Sequence, residues 1–137
     1  MKLLRPRWIA GIILALLLSF GIASAQVLPI FRIGVLDAVD GPLTRGAQLA
    51  VEEINQAGGV IGADGTAFEL QLVIQPVDDL AAAVNNINQA SVIAVIGPVR
   101  SETVLGNREV LASLGVPILT AGTDDTLLVN DTSNQLF

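Results

Sequence analysis

The chain of 137 residues has no cysteine and no histidine, and its seven lysines and arginines stand against thirteen aspartates and glutamates. Without cysteine there are no disulfides, so the fold must rest on its core. Without either residue type the usual zinc sites, haem ligation and every Ser-His or Cys-His catalytic arrangement are excluded. The few basic residues are also unevenly placed. Lys2, Arg5 and Arg7 precede an apolar run from Ile9 to Ile22, which leads into Ala23-Ser24-Ala25, the small-x-small pattern of a secretory cleavage site. Residues 1–25 therefore read as a signal peptide, cleaved after Ala25. An uncleaved anchor is the alternative, because the run approaches the length that spans a bilayer. No cysteine follows the run, so a lipoprotein attachment is excluded. Loss of residues 1–25 removes three basic residues and no acid, leaving four against thirteen and a formal charge of −9. That balance argues against nucleic acid or an anionic membrane surface as partner, since both require a basic face.

What the chain does have is apolar residues, 52% of the total, enough for the core of one domain over residues 26–137. Arg32-Ile33-Gly34-Val35-Leu36 is a short strand, ended by the turn chemistry of Asp37 to Pro42. A helix follows, with Pro42 in its first turn, Ala47, Ala50, Val51 and Ile54 on its packing face, and Gly58-Gly59 as its stop. The glycines of 58–65 follow a helix and precede a strand, the reverse of the order that a dinucleotide-binding loop needs, and read as a structural connector. Ala67 to Gln75 alternates apolar and polar residues, as a half-exposed or edge strand does. Asp78 or Asp79 caps a helix to about Ala90 with Leu80, Ala83, Val84 and Ile87 on its inner stripe.

Val92 to Gly97 reads as a strand buried on both faces, broken by Gly97-Pro98. Ser101 stands at the N-cap of a helix carrying Val104, Leu111 and Leu114 at helical spacing, closed by Gly115. Val116 to Thr120 is a fourth strand, and Leu127-Leu128-Val129 packs as something short. Asn130-Asp131-Thr132 matches a glycosylation acceptor by chance, and 131–134 reads as a solvated loop. The alternation of strand and helix means an α/β fold: right-handed crossovers and a doubly wound parallel sheet with helices on both faces, here expected to be incomplete at the C-terminus. Three loops, Asp37 to Leu43, Gly97 to Thr103 and Thr120 to Asp125, then share one edge, where open α/β sheets bind ligands. They combine small residues with hydroxyls and carboxylates, the makings of a crevice for a small polar molecule.

Arg32 to Leu36, Asp40-Gly41-Pro42, the run Arg45 to Asn55, Gly58 to Gly62, Val95 to Pro98 and Gly115 to Thr120 occur in an order that resembles the first lobe of the leucine/isoleucine/valine-binding protein family. These are the type I periplasmic solute-binding proteins of ABC importers. The resemblance implies two doubly wound lobes that close over a ligand, often an amino acid, without catalysis or cofactor. It implies an extracytoplasmic location, an ABC permease as partner, and membrane contact only through the leader or that permease. By position, Ser101 matches the serine at a helix start that meets the ligand carboxylate. Gly122 falls where the family uses a backbone group. Asp124 falls where a threonine commonly touches the ammonium, with Thr123 one place earlier. Two departures stand out. A carboxylate at 124 pairs with a cation more strongly than a hydroxyl does and repels a ligand carboxylate, and only Leu43, Thr44 and Arg45 separate the Gly-Pro from the Gly-Ala of the first helix, which shortens the roof of the pocket.

Three other readings are weighed against this one. An uncleaved leader would make the same lobe the ligand-sensing domain of a membrane-anchored receptor. A phosphoacceptor receiver domain fails on the export signal, on acid placement after the wrong strand and on the absence of a later lysine. A hydrolase fails because Ser101 has no histidine or lysine to act as base.

Overall fold

The computed structural model describes residues 27–129 and 131–137; the segment 1–25, with the leader read from it, and Asn130 of the acceptor pattern lie outside them. The chain runs β1 (Ile30–Leu36), α1 (Pro42–Gln56), β2 (Val60–Ile61), β3 (Ala67–Gln75), α2 (Leu80–Gln89), β4 (Ala94–Ile96), α3 (Ser101–Gly106), α4 (Arg108–Ala112), β5 (Ile118–Leu119) and α5 (Thr126–Val129). The sheet order is β2-β3-β1-β4-β5. β1 pairs in parallel with β3 and β4, and β4 in parallel with β5, while β2 pairs antiparallel with the start of β3. The expected α/β sheet is present, with one antiparallel addition inside the connector of 58–65. β2 covers only two residues of β3, so most of β3 is an edge, as its alternating pattern implies.

The register decides which side chains meet. Gly34 is opposite Val73 and Val95, and Val95 is opposite Ile118, so these positions share one face. On that face lies the core of Leu36, Val84, Ile87, Val95, Val104, Leu111 and Ile118. α2 supplies Leu80, Ala83, Val84 and Ile87, all buried, and Asp79 is its cap, its carboxylate accepting from the amide of Ala82 at 3.0 Å. Here the helical spacing in the sequence and the packed stripe agree residue for residue.

The opposite face is covered by α1 over β1 and β3. Asn55 seats the helix: its side chain donates to the Leu70 carbonyl and accepts from the Leu70 amide, both at 2.9 Å. Two expectations are corrected on this side. Ala50 and Ile54 are exposed, and the packed positions of α1 are Thr44, Ala47, Val51 and Asn55. β4 is not buried on both faces: Val95 is fully covered, but Ala94 and Ile96 are only half-buried and Ile93 is exposed. The reason is the same for both. α1 spans β3 and β1, and no other helix among the described residues lies over β4 on that face.

The helix expected from Ser101 to Leu114 is two short helices. Asn107 breaks it with φ −131° and ψ 27° while its side chain donates to the Thr103 carbonyl at 2.8 Å, the backbone competition that asparagine offers inside a helix. At the far end, Ile118 donates to Gln135 at 2.7 Å and Phe137 donates to Ile118 at 2.9 Å, so residues 135–137 lie parallel alongside β5.

Candidate ligand-binding crevice

Because β1, β4 and β5 are parallel, the three loops that follow them emerge at one edge of the sheet. From β1 the chain passes to β3 on one side and then to β4 on the other. The loops after β1 and β4 thus flank the point where the strand order reverses, the position at which doubly wound sheets bind ligands.

The loop after β1 is occupied with its own helix. One carboxylate oxygen of Asp37 accepts from the amides of Leu43 and Thr44, at 3.0 and 3.2 Å, which caps α1. Thr44, fully buried, donates its hydroxyl to the Ala38 carbonyl at 2.7 Å. A Cβ on Gly41 would lie 2.1 Å from the Asp37 carboxylate, so a larger residue there would displace that carboxylate from the helix. Asp37 thus shapes the turn, and Arg45 bonds the Asp40 carbonyl across it.

The loop after β4 turns at Gly97, whose φ of +94° and close approach to the Leu36 carbonyl, 2.5 Å from where a Cβ would sit, admit no side chain. The N-cap of α3 is Arg100, not Ser101, and no side chain caps the helix. Arg100 is exposed and pairs with Glu102 at 3.2 Å, the ordinary role of a surface arginine. Ser101, the first helical residue, instead reaches to the neighbouring loop. Its hydroxyl oxygen accepts from the amide of Thr123 at 3.0 Å and of Asp124 at 3.2 Å.

That loop, after β5, is the third wall. Thr120 donates its hydroxyl to the Pro98 carbonyl at 2.7 Å and accepts from the Gly122 amide at 3.0 Å. Asp124 accepts from the Thr126 amide and hydroxyl at 2.8 and 2.6 Å. The Thr126 side chain and then its amide hold the Asp124 carboxyl below its ordinary value, with a smaller contribution from the Arg108 charge. Arg108 fixes the far end of the loop by donating to the carbonyls of Thr126 and Leu127, at 2.8 and 3.0 Å.

The structure therefore brings Ser101, Gly122, Thr123 and Asp124 together, but through each other. The amides of 122, 123 and 124 all already donate to hydroxyls of the crevice wall. What Ser101 retains is its own proton, since a hydroxyl that accepts two bonds still donates one. A concavity of about 170 Å³ opens beside this loop, lined by Thr120, Gly122, Thr123, Asp124, Leu127 and Phe137; Ser101 braces the loop from behind and is not part of that lining. Asp37 and Asp40 stand apart from it. Thr120 and Arg108 carry the geometry without having been singled out in the sequence. Thr120 follows a strand and precedes Ala121-Gly122, a local signal of sorts, whereas Arg108 acts across 18 residues and gives none.

No protein-family model and no curated protein matches the chain. Solved structures do. LivJ, the branched-chain amino acid transporter substrate binding protein of Streptococcus pneumoniae, crystallised in complex with isoleucine, is 29% identical with a TM-score of 0.59 over 79% of this chain. An ABC transporter substrate-binding protein of Desulfitobacterium hafniense in complex with Leu is 24% identical with a TM-score of 0.60 over 81% of the chain, which speaks for the fold. A further structure under that description, from the same organism, is 25% identical with a TM-score of 0.55. The chain spans about one third of the length of each, 33% in all three. In fold and in sequence, then, the chain is similar to about one third of ABC transporter substrate-binding proteins, the branched-chain amino acid protein LivJ among them.

Proposed function

We propose that the chain provides one lobe of the extracytoplasmic solute-binding component of an ABC importer, capturing a small polar solute such as an amino acid without catalysis. The observation that carries this reading is the 29% identity to LivJ over 79% of the chain, combined with three polar loops at one edge of the sheet. In this reading the Ser101 hydroxyl donates its free proton to the ligand carboxylate, the carboxylate of Asp124 lies beside the ligand ammonium end, and Gly122 and Thr123 form the wall between them. Asp124 favours a cationic group near it. Closure of a second lobe would complete the enclosure. The acidic balance of residues 26–137 and the leader read from 1–25 fit an exported protein that meets a permease.

The test is a thermal-shift and calorimetric panel of the proteinogenic amino acids against the protein as it is encoded in full. Stabilisation by one or a few aliphatic amino acids, lost when the ligand α-carboxylate is amidated, is the expected result. Indifference to the whole panel would remove amino acids from the reading.

A further inference from the structure

Gly122 and Asp124 line the crevice, and both lean on α5, a helix of four residues, Thr126–Val129. Helices below about 12–15 residues are marginal in water, so α5 must be held from outside. The last four carbonyls of a helix have no partner within it, and in α5 those are all of them. Arg108, the first residue of α4, meets two: its Nη2 donates to the carbonyls of Thr126 and Leu127 at 2.8 and 3.0 Å, the place where a helix end favours a cation. Arg108 is not among the residues that line the crevice. It reaches the crevice by two routes instead. Through Thr126, the amide and hydroxyl hold the Asp124 carboxylate at 2.8 and 2.6 Å. Through Leu127, a buried side chain packs directly on Gly122, its Cδ1 only 2.7 Å from where a Cβ on that glycine would sit.

We propose that Arg108 is the positioning residue of the crevice: by clamping α5 to α4 it fixes where the Asp124 carboxylate stands, and so sets how well the site selects a ligand that carries an ammonium group. The proposal rests on the reading of the crevice as a solute site. The division of labour within the loop makes the effect selective. Thr120 and Ser101 hold the amides of Gly122, Thr123 and Asp124, whereas the Asp124 carboxylate is held by Thr126, whose carbonyl Arg108 fixes. Loss of Arg108 therefore frees the carboxylate and leaves the amides of the loop in place. A ligand with an ammonium group then loses a fixed charged partner, and one without it loses nothing. The Arg108 charge adds directly to the hydrogen bonds that keep Asp124 ionised. Because a single nitrogen makes both bonds to α5, a lysine ammonium with its three donors can take the place of the guanidinium, while methionine keeps a stem of similar bulk with neither charge nor donor.

The experiment compares the isotope-labelled protein, as it is encoded in full, with its Arg108→Met and Arg108→Lys variants by NMR. The probes are leucine and 4-methylpentanoate, which is leucine without its ammonium group. Arg108→Met is expected to raise the titration midpoint of the Asp124 carboxyl toward the ordinary 3.8 and to weaken leucine by about fivefold. Protection of the Thr123 amide, which Ser101 holds, should not change, nor should any affinity for 4-methylpentanoate. Arg108→Lys should restore both the midpoint and leucine binding. An Arg108→Met protein with the parent's Asp124 midpoint overturns the proposal, as does one that binds leucine as the parent does, or one that loses leucine and 4-methylpentanoate alike. Leucine that leaves the parent's resonances in place counts against the solute reading, and the Asp124 midpoint then decides the role of Arg108 alone. Should Arg108→Met not fold, the parent decides: its Arg108 Nε resonance is expected to follow the titration of Asp124, and one that stays in place through it overturns the proposal.

Discussion

Ser101→Ala isolates the contact that ties two walls of the crevice together. The substitution removes one acceptor from two amides, those of Thr123 and Asp124. Alanine at the first position of α3 does no harm to the helix itself, so the effect falls on the loop. Both bonds are exposed, and water replaces the lost acceptor. Each is worth at most the net value of an intramolecular hydrogen bond, about 0.5–1.5 kcal/mol, and because the two share one acceptor oxygen the pair falls short of the full sum, at about 1–2 kcal/mol. If the loop opens locally to exchange, protection of the two amides should fall by about 5- to 30-fold. The Gly122 amide, which donates to the Thr120 hydroxyl instead, serves as internal control. Ser101→Thr restores an acceptor and should restore protection. Unchanged exchange at Thr123 and Asp124 in the alanine variant would refute the reasoning, because the two loops would then be held by something other than this hydroxyl.

Gly97→Ala should destabilise by about 1–3 kcal/mol in urea unfolding, since its positive φ and the Leu36 carbonyl leave no room for a methyl group; a variant as stable as the parent would contradict the turn geometry. Asp37→Ala removes the α1 cap and should cost about 1 kcal/mol, and Gly41→Ala should produce a similar loss by displacing the same carboxylate. Ile87→Ala opens a cavity at a fully buried position between α2 and the sheet, with an expected loss of about 2–5 kcal/mol; a loss under 1 kcal/mol would mean the core does not close there. For Asp124, hydrogen bonds from Thr126 lower the folded-state pKa below the ordinary 3.8. Its support for the start of α5 is thus complete above that value and is lost as pH falls through the lower folded-state pKa. An NMR titration of the Asp124 carboxyl should give a midpoint below 3.8, and one at or above it would count against the Thr126 contact.

Much of this fold could be read from local pattern. The stripe Leu80, Ala83, Val84, Ile87 and its Asp79 cap are properties of one helix and needed no knowledge of its surroundings. Gly97-Pro98 marked a turn because the backbone chemistry of those two residues forbids a continuing strand. What failed was whatever depended on a distant neighbour. Ile54 looked like a packing residue from its apolar character, yet whether it is covered depends on what lies over β4. Ser101 has the composition of an N-cap and the geometry of a strut, because it sits one position inside the helix and its hydroxyl accepts from the amides of Thr123 and Asp124, 22 and 23 residues away. Asn107 was passed over inside an apolar period that its own side chain interrupts. The crevice was legible as three loops at one edge; the bonds that already occupy its amides were not, since nothing in the spacing says that Gly122 donates to Thr120 and Thr123 to Ser101.

The central claim, that Ser101 and the loop of 122–124 meet a small amino-acid-like ligand, is tested most directly by titrating the isotope-labelled protein with leucine and isoleucine and following its amide resonances. Saturable binding is expected, with the largest shifts at Ser101, Thr123 and Asp124 and none with the corresponding amino acid amides. Resonances of those three residues that stay in place with both amino acids, while the protein is folded, would contradict the account.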